Sequence, residues 1–134
     1  MKQLNVYLMF EGNCQEALEF YKTCLKGEVV SKQTVGESPM ESPEEYKNRI
    51  IHAEFKAEGI YFMAADAFPG QKVASANNVN LSINLDDPKE QEEIFGKLSE
   101  GGTIGMPLQD TFWGARFGMI VDKYGIHWML NCQK

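Results

Sequence analysis

The sequence predicts an α+β protein made of tandem βαβββ modules, each a curved mixed sheet with one helix. Two observations carry that prediction: an internal repeat, and matched blocks that open and close each half in the same order. From Val6 to Gly27 and from Leu81 to Gly102 the spacing is identical, with Phe20 answering to Phe95 and Lys22 to Lys97. Near the other end of each half, Gly59-Ile60-Tyr61-Phe62-Met63 corresponds to Gly125-Ile126-His127-Trp128-Met129.

In the first half, Val6, Leu8 and Phe10 alternate with Asn5, Tyr7 and Met9, the period of a half-buried strand. Glu11-Gly12-Asn13 breaks the strand, with Asn13 as the expected N-cap. Ala17, Leu18, Phe20, Tyr21, Cys24 and Leu25 then fall at helical spacing, and Gly27 stops the helix. A strand from Glu28 to Val35 and a β-rich run from Arg49 to Ala57 precede the Gly59 block. Gly36 to Lys47 reads as a mobile loop with a short helical turn at Pro43-Glu44-Glu45-Tyr46.

The second half begins again at Val79, Leu81, Ile83 and Leu85, alternating with Asn80, Ser82 and Asn84. Asp86-Asp87-Pro88 supplies a cap followed by proline in the first turn. Ile94, Phe95 and Leu98 mark the helix stripe, and Gly101-Gly102 ends it. Strands follow at Thr103 to Gln109, at Ala115 to Val121 and in the Gly125 block. The expected organisation is one domain over 1–134, with modules at 1–67 and 78–134 and a connector at 68–77.

At 134 residues, with 43% hydrophobic and 24% charged, the chain can bury a core without staples. A net charge of −6 and scattered Lys and Arg argue against nucleic-acid binding, which needs a basic footprint, and against anionic membrane surfaces. No run approaches the ~20 apolar residues that cross a bilayer. Met1-Lys2-Gln3-Leu4-Asn5 leads straight into the alternating pattern without a secretory signal. Cys14, Cys24 and Cys132 are odd in number and lack ligand spacing. A reduced, cytoplasmic protein with structural cysteines is therefore expected.

Several stretches carry a family resemblance. Tyr7-Leu8-Met9-Phe10-Glu11-Gly12-Asn13 runs into Glu16-Ala17-Leu18-Glu19-Phe20-Tyr21, and Met63-Ala64-Ala65-Asp66 is followed by Pro69-Gly70. Thr111-Phe112-Trp113-Gly114 precedes Asp122-Lys123-Tyr124-Gly125-Ile126-His127-Trp128. On these the chain resembles the vicinal oxygen chelate superfamily (the glyoxalase/bleomycin-resistance/dioxygenase fold), in its PhnB-like, demethylubiquinone-methyltransferase-like branch. The resemblance covers nearly the whole chain. It implies curved sheets enclosing a cavity, usually in a homodimer, and functions ranging from metal enzymes to metal-free drug-sequestering proteins, so fold does not choose function.

Enzymes of that superfamily hold a divalent ion with His or Glu from the first and last strand of each module. Carried over, those positions fall at or within one residue of Asn5, Met63, Asn80 and Met129. Two amides and two thioethers suit hard or borderline divalent cations poorly. The expectation is no metal and no cofactor. No serine sits in a nucleophile elbow, and no glycine-rich phosphate loop or βαβ dinucleotide-type unit supports methyl transfer from a nucleotide-like donor.

If the apolar strand faces meet the helices, the opposite faces line the cavity. With two- or four-residue hairpin turns, that side holds His52 and Glu54, and Arg116, His127 and Asn131, near Tyr7 and Tyr61. Tyr7, Glu54, Asn80, Trp113 and Arg116 are the ligand-binding candidates, and His52 and His127 the candidate general bases. Trp113 reads as cavity wall and Trp128 as core. Arg116 either clamps an anion or pairs with Glu54.

The leading expectation is a homodimer that binds an unidentified small aromatic or anionic molecule without metal. The alternatives are a lyase, isomerase or transferase with a His base, a metal enzyme whose site is relocated to His52, Glu54 and His127, and a structural protein without ligand. Whether a reaction is catalysed stays open at this point.

Overall fold

The structure is a computed structural model that describes residues 1–133. The chain divides into two compact units, Met1–Ala74 and a second that starts at Ser75. In the first, β1 (Tyr7–Phe10), α1 (Cys14–Leu25), β2 (Glu28–Thr34), β3 (Ile50–Ala57) and β4 (Ile60–Asp66) follow in order. The second repeats that order with β5 (Leu81–Leu85), α2 (Pro88–Ser99), β6 (Thr103–Asp110), β7 (Ala115–Val121) and β8 (His127–Gln133). Each unit forms a four-stranded mixed sheet, ordered β1-β4-β3-β2 and β5-β8-β7-β6. In both, the first strand pairs parallel to the last and the other neighbours pair antiparallel.

In the first unit, α1 buries Cys14, Ala17, Leu18, Tyr21, Cys24 and Leu25 along one stripe. Leu8, Phe10, Ala53, Phe55, Phe62 and Ala64 are the buried residues of β1, β3 and β4 on the matching sheet face. Tyr21 meets Phe62 edge-on at 5.8 Å, and Phe62 stacks on Phe55 at 4.7 Å. Each large side chain so buried contributes about 2 kcal/mol of apolar transfer free energy. In the second unit, Phe95, Leu98, Ile120, Trp128, Leu130 and Cys132 form the equivalent core. All three cysteines are buried and outside any disulfide.

Three boundaries differ from expectation. Val6 and Val79 lie outside the ladders and are exposed, because pairing starts at Tyr7 and Leu81. Asn13 makes no side-chain cap bond; the Asp66 carboxylate from the end of β4 instead accepts the Cys14 N–H at 2.9 Å. The same carboxylate accepts Gly12 N–H at 2.9 Å and Ile50 N–H at 2.8 Å, joining helix start and β3 start to β4. Finally, Lys26 rather than Gly27 takes the left-handed position that ends α1 (φ 53°). Gly27 is required for close approach: a Cβ there would lie 2.5 Å from Phe55 Cζ.

The turn expected at Pro43-Glu44-Glu45-Tyr46 is a 3₁₀ turn over Glu44–Tyr46. A second, over Val35–Glu37, is closed by a capping box between Thr34 and Glu37. Asp87 caps α2 by accepting the Lys89 N–H at 2.9 Å, with Pro88 in the first turn as expected.

Candidate functional site

Strand register decides which side chains share a face. In the first sheet Tyr7 pairs with Met63, Met63 with Glu54, and Glu54 with Ser31. These residues point away from α1, since their neighbours Leu8, Ala64, Ala53 and Phe55 are buried beneath the helix. The β3–β4 turn has two residues, Glu58-Gly59, so the expected parity holds and His52 and Glu54 occupy the helix-free face.

Tyr7 and His52 meet across β4. The Tyr7 hydroxyl lies 3.1 Å from His52 Nδ1, with ring centroids 5.8 Å apart. One step beyond the Ala53–Ala64 pair and opposite Met9, Ala65 alternates onto this face between the strands that carry the two rings and is 4% exposed. A methyl group there leaves room for the two rings to close. Glu54 Oε1 lies 3.8 Å from His52 Nε2. Burial, the adjacent Glu54 charge and a hydrogen bond to Glu54 hold the Tyr61 phenol above its usual range. Partial burial, with Cys14 nearby, does the same for Tyr7, so both phenols remain protonated at neutral pH. Cys14 itself is pushed up to about 12, by burial and then by Asp66, which leaves it an inert thiol.

In the second sheet, Ser82 pairs with Met129, Asn84 with Asn131, Met119 with Met129 and Phe117 with Asn131. His127 pairs with Val121 on the same helix-free face. Its Nε2 lies 3.3 Å from Ser75 Oγ, whose hydroxyl proton is given to Gly125 O at 2.8 Å. Ser75 therefore accepts from His127, which places the imidazole proton on Nε2. Asn80 directly precedes β5 and is half-buried. Trp113 sits in the β6–β7 turn, half exposed, edge-on to Phe112 at 5.1 Å and to Phe117 at 5.7 Å. Gly114 permits that turn with φ of 84°. Trp128 is core, as its alternation predicts.

Arg116 is the correction. It pairs in register with buried Cys132, projects to the α2 side and meets Glu92 at 3.2 Å, not Glu54. The cause is loop length: β7 and β8 are joined by five residues, 122–126, and an odd loop reverses the parity that an even turn would give. Asp122 sets that length, accepting the backbone N–H of Tyr124 at 2.8 Å and of Ile126 at 3.1 Å, and the Trp128 indole at 2.8 Å. The Asp122/Gly125/Trp128 motif is thus architectural.

Register also aligns the two sheets position by position. Glu54 and Met119 each pair with the methionine of the last strand, so His52 answers to Phe117, Lys56 to Val121, Tyr61 to His127 and Tyr7 to Ser82. Titratable groups are concentrated in the first sheet, and thioether, aromatic and amide groups in the second. Sequence reasoning found His52 and Tyr7 separately but missed their contact and the correspondence of His52 with Phe117; the internal repeat was the signal that could have found the latter.

The positions that the resemblance assigns to metal ligands carry two amides and two thioethers, a poor donor set for a hard or borderline divalent ion. Met63 and Met129 lie on the helix-free faces, Asn5 is exposed two residues before β1, and Asn80 stands outside β5. Among the described residues no three His, Cys, Asp or Glu side chains gather as a metal site.

A family model described as 3-demethylubiquinone-9 3-methyltransferase matches residues 2–131. The chain belongs to this family. Protein YjdN of Escherichia coli (strain K12) is 33% identical over 141 residues, covering 98% of this chain and 95% of the relative. Among solved structures, protein PA1353 from Pseudomonas aeruginosa is 38% identical, with TM-score 0.88 over 99% of this chain and 98% of that one. A Bacillus cereus protein described as a putative 3-demethylubiquinone-9 3-methyltransferase, PhnB protein, is 30% identical, with TM-score 0.82 over 98% of this chain and 99% of that one. A glyoxylase/bleomycin resistance protein/dioxygenase domain from Frankia sp. EAN1pec, 11% identical with TM-score 0.72 over 100% of this chain and 98% of that one, shares the fold alone. This PhnB-like family therefore has the vicinal oxygen chelate fold, as the sequence resemblance implied.

Proposed function

We propose that this PhnB-like chain is a cytoplasmic homodimer that binds a small aromatic molecule without a metal ion. The observation that carries the reading is the grouping of Tyr7, His52, Glu54, Tyr61 and Met63 on the helix-free face of the first sheet. A flat, partly wet surface of rings and thioether with a few fixed polar atoms suits a ring-bearing ligand. The cation that register places on that face, Lys56, lies over the Tyr61 ring, 5.8 Å from its centroid, which favours the aromatic over the anionic half of the expectation. Asn5, Met63, Asn80 and Met129 at the metal positions support binding without metal.

The family description names a methyl transfer. Nothing among the described residues supports it: the β1–α1 turn carries one glycine, Gly12, and neither sheet has the parallel, doubly wound order of nucleotide-donor sites. A second reading, proton transfer with His52 as base, is favoured by Glu54 behind its Nε2.

The test is a thermal-shift screen of aromatic compounds on metal-analysed protein. A ligand that raises the midpoint of zinc-, nickel- and manganese-free protein, and fails to do so for Glu54→Gln, is the expected result. Stoichiometric metal in the purified protein, or no stabilising aromatic, sinks the reading. Sedimentation that finds only monomer at micromolar concentration removes the dimer.

A further inference from the structure

We infer that the Tyr7 end of the first sheet's helix-free face accepts hydrogen bonds rather than donating them, so that the aromatic ligand it takes carries a hydroxyl or amine donor. This rests on the binding reading above and specifies its chemistry. In a neutral His52, the Glu54 carboxylate 3.8 Å from Nε2 favours the proton on that nitrogen. Nδ1 is then a lone pair, and the Tyr7 hydroxyl 3.1 Å away gives it its only proton. What Tyr7 offers outward is oxygen lone pairs alone.

Beside the Glu54 charge the Tyr61 phenol stays protonated, and it lies at the Lys56 end of the face rather than the Tyr7 end. A carboxylate has no donor, Met63 between Tyr7 and Glu54 offers only a thioether, and the side-chain donors of β2, Ser31 and Gln33, stand beyond Glu54 and His52 at the opposite edge from Tyr7. The cation of this face, Lys56, lies at the far side over the Tyr61 ring, 5.8 Å from its centroid. At the Tyr7 end an incoming carboxylate would meet acceptors opposed to acceptors, whereas a phenol or ring amine supplies the missing proton. The equivalent row in the second sheet, Ser82, Phe117 and Met119, has no such arrangement.

Phenol, anisole and benzoate test this, because they share one ring and differ in having a donor, no donor, and a negative charge. Each is titrated into the full chain while ¹⁵N–¹H spectra follow Tyr7, His52 and Glu54. The expected result is that phenol shifts these residues and binds about tenfold more tightly than anisole, the worth of one hydrogen bond, with benzoate weakest. Tyr7→Phe erases most of phenol's advantage. His52→Leu releases the Tyr7 proton to point outward and raises benzoate relative to phenol by about threefold or more. Anisole equal to phenol, or benzoate preferred at these same residues, overturns the inference and leaves small-molecule binding standing. If none of the three moves these residues, the binding reading falls and the inference with it.

Discussion

The Asp122 carboxylate accepts the Trp128 indole N–H at 2.8 Å while holding two backbone N–H groups of the same loop. Asp122 is 3% exposed, so its oxygens are satisfied by these three donors rather than by bulk water. Replacing it with alanine leaves all three unsatisfied in the core. Asp122→Ala is expected to cost about 3 kcal/mol or more, read as a fall in the urea midpoint, with loss of near-ultraviolet dichroism from Trp128. An unchanged midpoint refutes the architectural role.

Arg116 and Glu92 form a solvent-facing pair, and such pairs contribute little. Arg116→Ala should change stability by about 0.5 kcal/mol or less and leave affinity for any aromatic ligand unaltered. A large loss of affinity contradicts this.

Ala65 shares the helix-free face of β4, between the strands that carry Tyr7 and His52. Ala65→Val should force the rings apart, with an overpacking cost of about 1–3 kcal/mol. The His52 ring ¹⁵N shifts should move as they do in Tyr7→Phe. If they stay at the wild-type values, the two rings do not need that space.

The two tryptophans differ in environment, Trp128 at 2% exposure and Trp113 at 49%. Trp113→Phe should therefore leave blue-shifted emission that acrylamide quenches poorly, while Trp113 alone accounts for most quenching in the parent. Equal quenching before and after substitution contradicts the assignment.

Burial raises the Cys14 thiol from its ordinary 9.0 to about 12. The unfolded chain releases that proton first, so it binds fewer protons than the folded one across this interval. Stability is complete below about pH 9 and falls as pH rises toward 12. Tyr7, also raised, adds to the same alkaline loss. Denaturant midpoints measured up the alkaline limb should decline less steeply in Cys14→Ala, and iodoacetamide should leave native Cys14 unmodified near neutral pH. A flat alkaline limb in the parent contradicts this.

Local periodicity made the fold legible. Alternation at Leu8 and Phe10 and helical spacing at Leu18, Tyr21 and Leu25 are properties of adjacent residues, and the repeat confirmed them twice. What failed was non-local. The α1 cap comes from Asp66, 52 residues from the N–H it accepts, and no local motif announces it. Arg116 was misplaced because face assignment beyond a hairpin depends on whether the loop is odd or even, which Asp122 settles through hydrogen bonds invisible in the spacing. His52 and Glu54 were assigned correctly because Glu58-Gly59 is the short turn that alternation presumes.

The position-by-position match of His52 with Phe117 and Glu54 with Met119 gives the chain its own internal control. One backbone plan is present twice with different side chains. Grafting Phe117→His with Met119→Glu, or the reverse exchange, asks what those side chains do with strand geometry held constant, a comparison that unrelated homologues seldom permit.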